Sequence, residues 1–394
     1  MKRIILVNAH CNHLLMNTWW YYTFGVKAPS KYQILFRKLL EREDVEVVNL
    51  LTPMGCCYPK TSRSMKPMWR VWMECKQVLR KNGLQGKMLC SDNIKDIRHD
   101  DVALLFVHCH AGADRIAELP CYKIVHLNQY QCHDIKELDA ILPYADRFML
   151  EADVFKEGNY INLVKHTKTR EIQIVPYIVG DRFQNKQAFE ERKNKAVATG
   201  TIAEFATDND YSAHYGTRYL HKMRVEIYNH KEELETYVDA FVSPYLKNMK
   251  RLRVPEKTPE IIKGIVGLLH MWLYKPGAQK SYFSFDIVEK YNEYMMAVVP
   301  EEVAGITPIG AFEAMACGCA LIGIDHTMYT DLGLVPGKHY ITYDGTIEGL
   351  KETVAYYQEH TAELEEIART GCTFAHEHFN KERVTELFYQ KLNL

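Results

Sequence analysis

Short apolar runs alternating with amphipathic stretches recur along this chain, and no other feature constrains its fold as much. Residues 4–8, 45–50, 102–108, 123–127, 147–150 and 172–176 read as strands. Between them, residues 32–41, 65–81 and 135–142 carry helical spacing. Strands that alternate with helices build a parallel sheet covered on both faces. The continuous apolar run over 102–107 fits a strand buried on both sides. In the helix over 65–81, Trp69, Trp72, Met73 and Leu79 occupy the apolar positions.

The composition turns polar and charged near residue 180, and the alternation then restarts. Residues 196–200, 294–299, 320–324 and 340–342 read as strands. Residues 312–317 and 350–358 read as helices, as do stretches starting near Met223 and at Lys381. The fold class expected is α/β, with two Rossmann-like doubly wound parallel-sheet domains facing a cleft. The amino-terminal domain spans 1–183, a linker 184–195, and the second domain 196–379. A length of 394 residues suits two domains.

Lys and Arg number 49 against 50 Asp and Glu, for a net charge of −1. A protein that coats nucleic acid is normally basic, so no nucleic-acid partner is expected. The eleven cysteines fall at irregular spacings without a paired CxxC motif, which reads as reduced thiols and no metal. No run of about 18 apolar residues is present. The first residues read as a strand and not as a signal peptide. A cytoplasmic protein is expected.

In an open parallel sheet, ligands bind beyond the carboxyl ends of the strands. The strongest local signal lies there, over residues 299–318. A strand ends at Pro300 and a glycine-containing loop follows. Thr307-Pro308 reads as a helix start, with Thr307 as N-cap and Pro308 at the first helical position. Gly318 stands where a C-terminal cap glycine belongs. A helix end opening on a cleft offers unpaired N–H groups and the positive end of a dipole to a diphosphate. Glu313, farther along the helix, would accept hydrogen bonds from ribose hydroxyls.

The string Phe-Glu-Ala-Met-Ala-Cys-Gly-Cys-Ala-Leu-Ile over 312–322 resembles the donor-site helix of GT-B glycosyltransferases of the family 4 type. Residues 174–183 resemble the segment that closes the first domain in that superfamily, and residues 333–341 with Leu350 its final strand and helix. The resemblance implies transfer of a sugar from a UDP- or GDP-linked donor to a hydroxyl of a glycan, lipid or protein. It implies retention of anomeric configuration, no cofactor, no metal, and a last helix, about 380–394, packed back on the first domain. Glu313 then matches the ribose-binding glutamate. Gly305, Ile306, Thr307, Pro308, Ile309 and Gly310 match the loop that faces the phosphates and sugar, and Gly200 and Thr201 the loop beneath the nucleotide. The family's first glutamate has no aligned counterpart, and Glu301 and Glu302 are the nearest carboxylates. Its Arg and Lys after the first strand are also missing, which leaves Arg218, Lys222, Arg224 and Lys280 as diphosphate cations. These departures keep two alternatives open: a non-catalytic nucleotide-sugar-binding subunit and a sugar-nucleotide epimerase.

In the first domain, His110 follows a buried strand, and His126 and Asn128 close the next one. These three, with Glu302, are the catalytic candidates. His10 and His13 follow the first strand, on the acceptor side. Residues 60–87 hold eight basic residues and one acidic, with Trp69 and Trp72. Two roles suit that stretch: a solvated face over core tryptophans, or peripheral contact with the inner face of a membrane.

Overall fold

A computed structural model describes residues 2–11, 15–17, 32–53, 67–107, 113–156, 158–204, 210–244, 262 and 285–392. Within them lie two parallel sheets. The first contains β1 (Lys2–Val7), β2 (Val45–Leu50), β3 (Leu89–Ser91), β4 (Val102–Phe106), β5 (Tyr122–His126), β6 (Arg147–Leu150) and β7 (Ile172–Ile174), in the order β3-β2-β1-β4-β5-β6-β7. The second contains β8 (Lys193–Ile202), β9 (Val238–Pro244), β10 (Tyr294–Val298), β11 (Ala320–Ile324) and β12 (Ile341–Tyr343), in the order β12-β11-β10-β8-β9. In each sheet the chain works outward to one side of its first strand and then crosses to the other. The switch points fall between β1 and β4 and between β8 and β10, where open α/β sheets form their ligand crevices. Residues 102–106, 294–298 and 320–323 are buried throughout, as strands covered on both faces should be.

Three sequence expectations change. The polar stretch over 184–195 is not a free linker. Arg192 is buried in it and donates hydrogen bonds to the carbonyls of Gln187, Tyr294 and Cys317 and to Asn185 Oδ1. β8 already starts at Lys193. Second, β9 and the helix Thr361–His378 were not foreseen. Third, the helix expected over 65–81 is α2 (Met68–Asn82), following α1 (Gln33–Leu40), and it buries Val71, Cys75, Val78, Leu79 and Asn82. Trp69 and Met73 lie on the opposite side of that helix and face solvent. They are not core residues.

The domains are joined at several levels. Phe312 lies between Tyr177, with ring centroids 6.4 Å apart, and Phe379, 4.5 Å away. The final helix, Lys381–Leu392, places Phe388 and Leu392 in the same core as Leu35, Phe36 and Leu39 of α1. At its edge Arg42 meets Glu386 at 2.7 Å, and the Tyr389 hydroxyl donates to Asp44 at 2.9 Å. Among the described residues no helix is long and apolar enough to cross a membrane.

Candidate functional site

The site is built from the carboxyl ends of β8 and β10. Gly200, near the end of β8, has φ +137°, a conformation that favours glycine. Its missing side chain makes room for Arg224, from the helix Lys222–Asn229: a Cβ on Gly200 would lie 2.5 Å from Arg224 Nε. Arg224 is buried, and its Nη1 donates to the Thr201 carbonyl at 3.0 Å. The nearby Glu301 carboxylate accepts from the Ile324 N–H at 3.1 Å and from the Tyr329 hydroxyl at 2.5 Å. Burial raises the Glu301 pKa above its ordinary value, while Tyr329 and Arg224 pull it down. Glu301 is thus fastened inside its own domain and does not take the place of the missing carboxylate.

Glu302 points the other way. Its Oε2 accepts from Gln131 Nε2 of the first domain at 2.8 Å, and its Oε1 lies 3.9 Å from His221 Nε2. That separation exceeds a hydrogen bond. Burial, with Arg224 adding, therefore dominates at His221 and holds its pKa well below the ordinary value. Residues 302–306 form a tight turn, with the Gly305 N–H bonded to the Glu302 carbonyl at 3.0 Å and Gly305 at φ +70°. The first domain grips this turn: Asn159 Nδ2 donates to the Ala304 carbonyl at 2.6 Å, and the Tyr130 hydroxyl, 3.4 Å from that carbonyl, donates to Asn159 Oδ1 at 2.6 Å. Beside it Lys156 crosses to Asp331 at 2.7 Å. The loop expected to face the donor is therefore also the joint between domains, with Ile306 and Thr307 buried.

Thr307 is not the N-cap. The helix runs Ile309–Ala316, its N-cap is Pro308 at φ −71° and ψ 140°, and no side chain caps it there. The Thr307 hydroxyl turns instead toward the Met328 carbonyl, 3.5 Å away. The sequence Thr-Pro suits either role, and packing against residues 327–330 decides it. Gly310 lies close beneath the Tyr291 hydroxyl and Val299, where a Cβ would come within 3.1 and 3.2 Å. Gly318, at φ +84°, closes the helix as expected: its N–H bonds to the Met315 carbonyl and the Cys319 N–H to the Ala314 carbonyl. Glu313 is half-buried on this helix.

Among the expected cations that lie in the described residues, Arg224 alone is buried, at the switch point. Arg218 is occupied on the surface by the Tyr219 hydroxyl at 2.8 Å and Glu204 at 3.8 Å. Lys222 is exposed at the start of its helix. Lys280, His13 and His110 lie outside the described residues.

Across the joint, His126 is the last residue of β5, a buried ring stacked on Phe106 at 5.1 Å and edge-on to Tyr32 at 5.2 Å. Asn128, two residues on, is buried, and neither polar atom of its carboxamide has a hydrogen-bond partner. The next residue, Gln129, sits at φ +51°. Glu151, directly after β6, was missed from sequence. It is buried and accepts from the Tyr32 hydroxyl at 2.6 Å, with Tyr177 also bonded to it. The rule of inspecting residues that follow strands, applied to β6, would have found it.

His10 is buried in the turn Ala9–Cys11 after β1. Its ring lies with Cys11 and Glu74, all three offering metal-ligating atoms within 4.8 Å of one another. The Asn49 carboxamide is oriented by the Ala9 N–H, which it accepts at 2.8 Å, so its Nδ2 faces His10 Nδ1 at 3.4 Å. With that carboxamide donating, His10 Nδ1 is the acceptor of the contact.

The architecture has known counterparts. Sucrose-phosphate synthase from Thermosynechococcus elongatus superimposes with a TM-score of 0.52 at 10% identity, covering 99% of this chain and 98% of that one. Anabaena HepE in complex with UDP gives 0.52 at 10% identity over 100% and 99% of the two chains. A glycosyltransferase from Rickettsia africae gives 0.50 at 8% identity over 99% and 97%. The fold is GT-B. Residues 281–388 also match the family described as Glycosyl transferase-like. No curated protein matches the chain. The matched segment contains β10, the 301–308 loop and the helix bearing Glu313, which form the second-domain side of the site.

Proposed function

We propose that this GT-B protein transfers a sugar from a nucleotide-diphosphate donor to a hydroxyl acceptor. Two observations carry the reading: Arg224 is buried against the end of β8, and the helix that follows β10 has an N-terminus no side chain caps. A buried cation and a free helix end are the two elements that stabilise a departing diphosphate without a metal ion. Glu313 binds the ribose. HepE, which shares the fold, is described as bound to UDP, and this favours a uridine donor here. Glu302, held at the joint by Gln131, is the carboxylate placed to meet the donor sugar or the acceptor hydroxyl. The unpartnered Asn128 carboxamide offers N–H donors and a carbonyl acceptor side by side, a pattern that sugar hydroxyls satisfy. The reaction breaks the bond from the anomeric carbon to the diphosphate and forms one to the acceptor oxygen, whose proton passes to the departing diphosphate. Configuration is retained.

The test is a thermal shift against UDP, GDP, ADP and their sugars, followed by titration of the best ligand. UDP at about 100 times its Kd stabilises the fold by ~2.7 kcal/mol. Glu313→Ala weakens that binding about 10- to 100-fold, as expected for losing a charge-assisted bond of ~1.5–3 kcal/mol. A cooperative melt that no nucleotide moves refutes the donor site. Binding without release of nucleotide diphosphate, acceptors included, marks a non-catalytic subunit instead. Turnover that stops with EDTA refutes the metal-free reading, and an inverted product in proton NMR refutes retention.

A further inference from the structure

We propose that the outer face of α2 docks on an anionic lipid bilayer. Of the large apolar side chains among the described residues, the three most exposed are Trp69 (63%), Met73 (57%) and Leu89 (54%). The first two lie on α2, and Leu89 begins β3, the edge strand of the first sheet. At 100° per residue, Trp69, Met73, Lys76 and Arg80 share one stripe of the helix, opposite its buried face. Arg70 and Lys81 flank the stripe, and Lys87 follows in the next turn. Glu74 is the one acid of the helix. It is half-buried and bound to Arg70 at 3.3 Å. In a chain of net charge −1, this is a local concentration of positive charge around exposed apolar side chains.

The mount is firm. Trp72 donates its indole N–H to Asp92 at 3.0 Å, just beyond β3, while Gly83 at φ +68° closes the other end of the helix. Trp69 and Met73 are therefore held outward by a helix already committed to the core. The charge pattern selects the occupant. A second copy meeting this face across a two-fold axis would bring its own lysines and arginines against these, and interface cores are depleted of lysine. An anionic headgroup layer attracts the cations and accepts Trp at its boundary with the acyl chains. This inference rests on the surface alone and stands apart from the reading of the cleft.

The experiment is co-sedimentation of the full chain with vesicles of phosphatidylcholine containing 30% phosphatidylglycerol, and with pure phosphatidylcholine vesicles. Binding is expected to the anionic vesicles only, and to weaken as salt rises. The double variant Lys76→Glu with Arg80→Glu loses roughly 30-fold or more, from about one kcal/mol per cation near such a surface. Trp69→Ser with Met73→Ser also lowers binding, while Lys76→Arg keeps it. All these side chains are exposed, and an unchanged melting temperature verifies that each variant is folded. No binding to anionic vesicles overturns the proposal, as does binding that neither double variant reduces. So does a dimer in solution that Trp69→Ser dissociates, because that would assign the face to a second copy.

Discussion

Gly200→Ala probes the junction on which the proposed donor site depends. Two costs are expected. At φ +137° a side chain strains the backbone, by about 1–3 kcal/mol. The new Cβ would also lie 2.5 Å from Arg224 Nε and 2.6 Å from Cζ, so the guanidinium must leave. Its departure breaks the 3.0 Å bond to the Thr201 carbonyl and strands a buried charge, adding about 1–3 kcal/mol. The sum is about 2–6 kcal/mol. Gly86→Ala separates the two costs: Gly86 has φ +75° but nothing within 4 Å of an added Cβ, so strain alone applies there. Urea denaturation of both variants gives the difference, and titration with UDP gives the functional consequence. The expected result is a Gly200→Ala loss that exceeds the Gly86→Ala loss by at least 1 kcal/mol, together with weakened nucleotide binding. Equal losses, or nucleotide binding unchanged by Gly200→Ala, refute the reasoning that Gly200 exists to seat Arg224.

Other perturbations follow from the same geometry. Arg192→Ala removes the donor to the carbonyls of Gln187, Tyr294 and Cys317 and is expected to cost on the order of 3–5 kcal/mol in urea melts. A loss under 1 kcal/mol would show that the 184–195 segment is only a tether. Burial lowers the pKa of His221, His326 and His339 below their ordinary 6.5. Each takes up a proton on unfolding, so the stability it contributes is complete above about pH 6.5 and is lost as pH falls below it. The melting temperature should therefore drop between pH 7.5 and 5.5, and His221→Asn should flatten that drop. An unaltered slope would exclude His221 as a source. Asn159→Ala removes the 2.6 Å bond to the Ala304 carbonyl and should cost about 1–3 kcal/mol while loosening the joint. Limited proteolysis at the same rate as the parent chain would argue against a role in the joint.

The alternation of apolar runs by itself determined the class of fold and most of the strands, because a strand buried on both faces must be apolar along its whole length. The β6 and β11 ranges, 147–150 and 320–324, were legible to the residue. Gly318 was legible too, since the conformation it adopts leaves little choice but glycine. Periodicity gave out where a helix carries large apolar side chains on both of its sides. Residues 68–82 place Trp and Met on one side and Val, Cys and Leu on the other, and only the sheet beneath decides which side is buried. β9 was illegible because its neighbours in sequence are charged and its partner β8 lies some forty residues away. The site divides the same way. Glu313 and the small residues around it carry a local pattern that names their helix. The separate fates of Glu301 and Glu302 carry none. One turns inward to Tyr329 and the other outward to Gln131, because adjacent side chains leave a loop in different directions. Arg224 reaches the end of β8 only through the packing of its helix against a glycine 24 residues earlier in the chain. Local sequence sets which elements form and where they stop. The placing of a buried charge, or of a carboxylate between two domains, depends on contacts between distant segments, which only the tertiary structure brings together.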